Sequence, residues 1–252
     1  AHMSEIKVQH ILTIVELLLK GARDNYVNIT TRELGANIGR SQQAASKHLL
    51  ELEEKGYISR RRSGQGFCVR VTEKGYREMQ ELFLRLKVAL EPLPKMIELA
   101  GVAVTGMGEG GYYMSLEGYR RQFVERLGFD PYPGTLNIRL DKIYIDLKRE
   151  LVMYPAITID GFSDGKRTYG WVKCYTARIN DRLDGAILIL ERTHHDESIM
   201  EVIAPVKILD ALGLRYGDRI DVKVFIQQQQ QQQRRITSSN NDSAGVKINK
   251  KD

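Results

Sequence analysis

Cysteine is almost absent from this chain. Cys68 and Cys174 are the only two, far apart and without metal-ligand spacing. That argues against a disulfide framework and against a thiolate zinc site, and it suits a reducing cytoplasm. Long apolar runs are missing as well: none approaches the roughly 20 residues that a membrane span needs, so no membrane association is expected. The start, Ala1-His2-Met3-Ser4, has no positively charged region leading into an apolar stretch with a cleavage site. A signal peptide is therefore not expected, and Ala1-His2 reads as a cloning remnant. No internal repeat is visible. With 252 residues, the chain is long enough for two modest domains, each with its own core.

The charge that is present is unevenly placed. The net +6 divides into 15 basic and 11 acidic residues up to Pro92, and 5 basic and 2 acidic from Gln227 onward, which leaves the middle slightly acidic. A nucleic-acid partner is thus to be sought in the N-terminal part. Three zones follow. Residues 1–91 are helix-rich and end at Glu91-Pro92-Leu93-Pro94, where two prolines favour an extended connector. Residues 92–226 carry short β-branched runs at 156–160, 186–190 and 220–225, separated by Gly and Asp turns, with one clear helix among them. Residues 227–252 open with seven glutamines and are expected to be a disordered tail.

In the first zone the apolar spacing predicts a helix over 7–20 with Ile11, Ile14, Val15, Leu18 and Leu19 on one face. Thr30 or Thr31 can cap a short helix ending near Gly35. Ser41 can cap the next, which runs to Lys55 and stops at Gly56. Ala45, His48, Leu49 and Leu52 of that helix point to the core, leaving Gln42, Gln43, Ser46 and Lys47 outside, side-chain types that suit base edges and phosphates. A hairpin with basic edges follows, carrying Arg60, Arg61, Arg62 and Arg70. Three helices and such a hairpin resemble the winged helix-turn-helix regulators, and the resemblance covers 4–90. It implies that Gln42, Gln43, Ser46 and Lys47 read DNA while Arg60, Arg61, Arg62 and Arg70 touch phosphate. A plain protein-contact module is the alternative. The helix over 72–90 bears Met79, Leu82, Leu84, Leu86 and Leu90, more apolar surface than one small domain needs, which suggests a homodimer.

In the middle zone a strand over 99–104 leads into Gly106-Met107-Gly108-Glu109-Gly110-Gly111. The glycines match G-x-G-x-x-G, yet residues 112–116 read as a strand, so no helix N-terminus is expected to meet a pyrophosphate. No Gly-Lys-Ser/Thr closes a Walker loop either. A glycine-rich loop that lets its backbone approach phosphates remains, beside the alternative of a plain hairpin turn. A helix over 117–127 ends at Gly128, and Pro133-Gly134 sets a turn before a strand on which Thr135 and Asn137 share a face. Two neutral oxygens on one face can seat Mg²⁺, an ion that keeps much of its water and takes few protein ligands.

Taken together, the residues from Gly106 to Gly111, Tyr113-Met114-Ser115-Leu116, Gly128-Phe129, Pro131-Tyr132 and Gly134-Thr135-Leu136-Asn137 resemble the archaeal CTP-dependent riboflavin kinases, small barrels of the cradle-loop type. Asp184-Gly185-Ala186-Ile187, Thr193-His194-His195 and Glu201-Val202-Ile203-Ala204-Pro205 continue the match in family order, over about 99–225. The resemblance implies a mainly-α winged helix-turn-helix domain followed by a mainly-β barrel, since some members carry that fusion and regulate riboflavin genes. It implies that Gly106, Met107, Gly108, Glu109, Gly110 and Gly111 hold the CTP and CDP phosphates. Val206, Lys207, Ile208 and Leu209 would line the cytidine side, and Thr135 and Asn137 would bind Mg²⁺. Thr193 and Glu201 would contact riboflavin or FMN, with Glu201 the candidate base for the attacking hydroxyl. Adjacent His194 and His195 point to opposite faces of an extended chain and do not make a shared metal site. The competing function is a flavin- or nucleotide-sensing transcription regulator without turnover.

Overall fold

Two side-chain caps start the helices of the N-terminal segment. Ser41 Oγ accepts from the backbone N–H of Ala44, and Thr30 Oγ1 from that of Glu33, both at 3.1 Å. Each satisfies one of the donors that a helix start leaves open, worth about 1 kcal/mol. The computed structural model describes residues 6–64, 66–106, 110–191 and 196–226, and for 110–112 the backbone alone. The expected tail over 227–252 lies outside the described residues. By its contacts the chain divides into two compact units, Ala1–Leu90 and Glu91–Asp252.

The first unit runs α1 (Val8–Leu19), β1 (Val27–Asn28), α2 (Thr31–Asn37), α3 (Gln42–Glu54), β2 (Ile58–Ser63), β3 (Gly66–Val71) and α4 (Glu73–Leu90). β2 and β3 form a hairpin, and β1 adds to β3 to make a three-stranded sheet. The core joins Ile14, Leu17, Leu34, Leu49, Leu52 and Tyr57 to Val69 and Val71 of the hairpin. On α3 the buried residues are Ala45, His48, Leu49 and Leu52, as the periodicity anticipates.

The buried stripe of α1 is rotated from the expected one. His10, Thr13, Ile14 and Leu17 face inward, whereas Leu19 is exposed. Apolar spacing misses this because two polar residues are buried by finding partners on α3. Thr13 Oγ1 and His48 Nδ1 are hydrogen-bonded at 2.9 Å, and the His10 and His48 rings meet edge-on with centroids 4.8 Å apart. The short helix also continues past Gly35 to Asn37.

In the second unit come β4 (Met96–Val104), α5 (Gly110–Ser115), α6 (Glu117–Leu127), β5 (Leu136–Leu140), a 3₁₀ turn at Lys142–Tyr144, α7 (Ile145–Leu151), β6 (Ile157–Ile159), β7 (Phe162–Ser163), β8 (Thr168–Tyr169), β9 (Val172–Ile179), β10 (Leu183–Leu190), β11 (Ile199–Ile203), α8 (Ile208–Leu212) and β12 (Arg219–Phe225). Six antiparallel strands pair in the order β10-β11-β5-β4-β12-β9, and β9 pairs again with β10, so the sheet closes into a barrel. β6 attaches to β9 outside that ring. Alternation sends Leu99, Ile138, Ile179, Ile187, Val202 and Val222 inward, all of them buried. On the outside, Met114, Tyr119, Phe123 and Leu127 of α5 and α6 pack on Ile157, Cys174, Leu188 and Ile203. Cys174 is fully buried in this layer, and burial pushes its thiol well above the ordinary range.

One expectation fails here. Residues 112–116 do not form a strand: α5 covers Gly110–Ser115, and α6 follows after Leu116. β-branched residues are absent from this stretch, and Met114 contributes to the apolar layer as one turn of a helix that also packs Tyr113 against it, with Leu116 following just beyond. Among the described residues no helix is long and apolar enough to cross a membrane.

Candidate active site

β5 carries the centre of the site because both of its neighbours bring functional residues level with Asn137. Val104, near the end of β4, is the cross-strand partner of Asn137 on one side, and Glu201 of β11 is its partner on the other. Gly106 lies two residues beyond Val104, where the chain leaves the barrel and passes over β5. A Cβ at Gly106 would fall 2.6 Å from Asn137 Nδ2, so only glycine allows this approach. The φ of Gly106 is not in the left-handed region, which makes the requirement one of space.

Asn137 is 5% exposed, yet its Oδ1 has no hydrogen-bond partner. An amide oxygen buried without a partner costs about 1–3 kcal/mol. Such an atom fits a ligand held from outside the chain, and a neutral oxygen suits Mg²⁺. Thr135 directly precedes β5 rather than lying on it, since the strand starts at Leu136.

Next to Thr135 opens a pocket that joins two parts of the sequence. Tyr132, Gly134 and Thr135 line one side; Val206, Lys207 and Tyr216 line much of the other. Ile208 and Leu209 also reach it from the first turn of α8, where both are buried. The backbone N–H of Tyr132 donates to the carbonyl of Ala204 at 2.9 Å and holds the two segments together. Lys207 sits 3.1 Å from Asp210, whose carboxylate raises the lysine's pKa and takes up much of its charge. Its place is the N-cap of α8.

Thus Gly106, Asn137 and Glu201 form one row, with Thr135 and the 206–209 segment beside it. Gly110 and Gly111 open α5, so the glycine-rich segment spans from the end of β4 to a helix. Met107, Gly108, Glu109, Thr193, His194 and His195 lie outside the described residues. Sequence reading missed Tyr132 and Tyr216 as pocket walls. Tyr132 stood inside the Pro131-Tyr132-Pro133 signal, whereas nothing in the sequence pointed to Tyr216.

The N-terminal candidates divide in the structure. Gln42, Gln43 and Lys47 are exposed in the first half of α3 and Ser46 is half-buried; Lys47 Nζ is 3.8 Å from Glu51. Arg60 is engaged by Glu53 of α3, which takes a bond from its Nε at 2.7 Å. Arg61 and Arg70 instead lie over the Tyr26 ring at 4.3 and 5.2 Å, and Arg62 is exposed. Alternation along the hairpin puts Arg60 and Arg61 on opposite faces.

Comparison with known proteins bears on this arrangement. Residues 103–224 match the family model CTP-dep_RFKase, described as Domain of unknown function DUF120. A riboflavin kinase of Archaeoglobus fulgidus is 44% identical over 210 residues, covering 83% of this chain and 89% of that protein. A riboflavin kinase of Cenarchaeum symbiosum is 44% identical over 191 residues, 76% of this chain and 99% of that one. For a riboflavin kinase of Methanosarcina acetivorans the figures are 37% over 209 residues, 83% and 88%.

Proposed function

The chain belongs to the riboflavin kinase family, and on that premise we propose that it moves the γ-phosphoryl group of CTP to the terminal ribityl hydroxyl of riboflavin, giving FMN and CDP. The observation that carries this reading is the approach of Gly106, just beyond β4, to Asn137 of β5, whose partner on β11 is Glu201. Phosphoryl transfer asks mainly for alignment and charge neutralisation; the row would serve the first, and an ion held beside Asn137 would serve the second.

The hydroxyl oxygen forms a bond to the γ-phosphorus as the bond to the bridging oxygen of CDP breaks. Glu201 orients the hydroxyl and accepts its proton. Thr135 and Asn137 would hold Mg²⁺, and the buried, unpartnered Oδ1 of Asn137 supports that role. When bound, the ion supplies positive charge to the phosphate oxygens. Gly106 through Gly111 would hold the nucleotide phosphates, and the pocket between Thr135 and the 206–209 segment would take the cytidine. Thr193 with Glu201 would contact the flavin. A sensor without turnover has no use for a metal seat, so the orphaned Asn137 oxygen favours catalysis. The Thr135→Ala/Asn137→Ala double variant should lose FMN formation while keeping its far-UV circular dichroism; full activity would refute the metal assignment.

For residues 1–91 we infer a winged helix-turn-helix domain that binds DNA and regulates riboflavin genes, with 92–226 as the kinase barrel. The exposed Gln42, Gln43 and Lys47 at the start of α3 support this, as do Arg61, Arg62 and Arg70 on the hairpin. The 210-residue match to the Archaeoglobus fulgidus protein is longer than the whole second unit, so it reaches into the first. Phe83, Leu86 and Leu90 are exposed on α4, and a homodimer through that helix would cover them. A monomeric mass at micromolar concentration would contradict the dimer.

A further inference from the structure

Strand β5 is buried along its length except at Arg139, which is exposed between Ile138 and Leu140. By alternation Arg139 shares the face of Asn137, about 7 Å further along the strand. Its cross-strand neighbour on β11 is Ile199, two residues before Glu201. Arg139 therefore lies next to the row that holds Asn137 and Glu201, on the side away from the cytidine pocket. A guanidinium on its long stem can span the distance back to that row.

What sets Arg139 apart is that, among the described residues, its guanidinium closes no ion pair or hydrogen bond. Several other cations around this face are engaged. Lys148 of α7 donates to the carbonyls of Glu197, at 2.9 Å, and Ile199. Arg149 holds Asp146 and Glu197, Lys207 holds Asp210, and Arg219 holds Asp141 at 2.9 Å. The backbone of Arg139 is paired in the sheet with Val102 and Ile199, and the side chain alone is left over. Asp196, the carboxylate whose field it feels, already accepts from the backbone N–H of Ser198 at 2.8 Å.

We propose that Arg139 is a catalytic residue of the phosphoryl transfer, its guanidinium holding two oxygens of the γ-phosphoryl group as that group passes from CDP to the ribityl oxygen. The planar fork of arginine matches phosphate oxygens in pairs, and its charge is independent of pH in the working range. The negative charge spread over the equatorial oxygens in flight gives such a group its effect. The bonds made and broken are those given above: γ-phosphorus to ribityl oxygen forms, γ-phosphorus to the CDP oxygen breaks, and the hydroxyl proton passes to Glu201.

This inference rests on the kinase reading, and the test separates the two. Wild type, Arg139→Ala and Arg139→Lys are assayed as full-length protein with riboflavin, CTP and Mg²⁺. Arg139→Ala should lose at least 100-fold in kcat with the KM for riboflavin changed less than threefold and an unaltered melting temperature, since the side chain is exposed. Arg139→Lys should fall between, and added guanidinium chloride should restore part of the alanine variant's rate but not that of the wild type. A kcat within threefold of wild type for Arg139→Ala overturns the proposal, as does a loss confined to KM or one matched by a lower melting temperature. If the wild type makes no FMN, the kinase reading fails and this inference falls with it.

Discussion

Gly106 and Asn137 are packed so closely that a single methyl group between them would touch the carboxamide: an added Cβ at Gly106 lies 2.6 Å from Asn137 Nδ2. The glycine thus fixes where the buried amide sits, and the amide's oxygen is left for a ligand. Gly106→Ala should lower kcat at least 10-fold and raise the Mg²⁺ concentration needed for half-maximal rate. Gly106 is exposed and its φ is unstrained, so the melting temperature should hardly move. Unchanged magnesium dependence would refute the link between this contact and the metal seat.

Asn137 itself should show a conflict between stability and activity. Its Oδ1 is buried without a partner, and replacing such a group by an apolar one of similar size removes a cost of about 1 kcal/mol or more. Asn137→Leu is expected to be inactive and yet more resistant to urea than the wild type in metal-free buffer. Added Mg²⁺ should stabilise the wild type and not the variant, because only the former keeps the oxygen proposed to hold it. A variant less stable than wild type would show that the amide serves the fold.

The imidazoles of His10 and His48 give the first unit a pH dependence of definite sign. Burial is the main cause that lowers both pKa values below the ordinary 6.5, and His48 also opposes charge on His10. Lys7, Lys47, Lys55 and Arg40 oppose protonation too, and Glu51 partly offsets them. With folded values depressed, the unfolded chain takes up protons first as pH falls. Stability is therefore full above about 6.5, declines below it, and levels off under the folded values. Hydrogen exchange of the α1 and α3 amides in the full chain, corrected for intrinsic rates, should speed up from pH 7.5 to 5.5. Slower or unchanged exchange would contradict the assignment.

For DNA, the hairpin arginines should not be equivalent. Arg60 is bound to Glu53, whereas Arg61 and Arg70 share Tyr26 on the other face. Arg61→Ala and Lys47→Ala should weaken binding of a promoter fragment and reduce the salt slope by about one each, as loss of a phosphate contact requires. Arg60→Ala should leave the slope unchanged. Equal losses at Arg60 and Arg61 would mean that the Glu53 pair opens on binding.

Much of this was legible in the sequence where a local signal had a local cause. Ser41 and Thr30 were readable as caps, Gly128 as a helix stop, and β4, β5, β10 and β12 by their apolar or β-branched runs, whereas β9 and β11 were not anticipated. The phase of α1 was not, because His10 and Thr13 are buried through partners 35 or more residues away on α3. Helix α5 was misread because six residues are too few for periodicity to separate helix from strand. The site residues stood out as motifs, but their meeting did not: Asn137 opposite Glu201 is a matter of strand register, and so is the place of Arg139 two residues along the same face.

The central claim is tested most directly by incubating the full-length protein with riboflavin, Mg²⁺ and either CTP or ATP, and separating the flavins. FMN and CDP should accumulate in equal amounts with CTP, with little FMN from ATP. Riboflavin recovered unchanged with every nucleotide would contradict it.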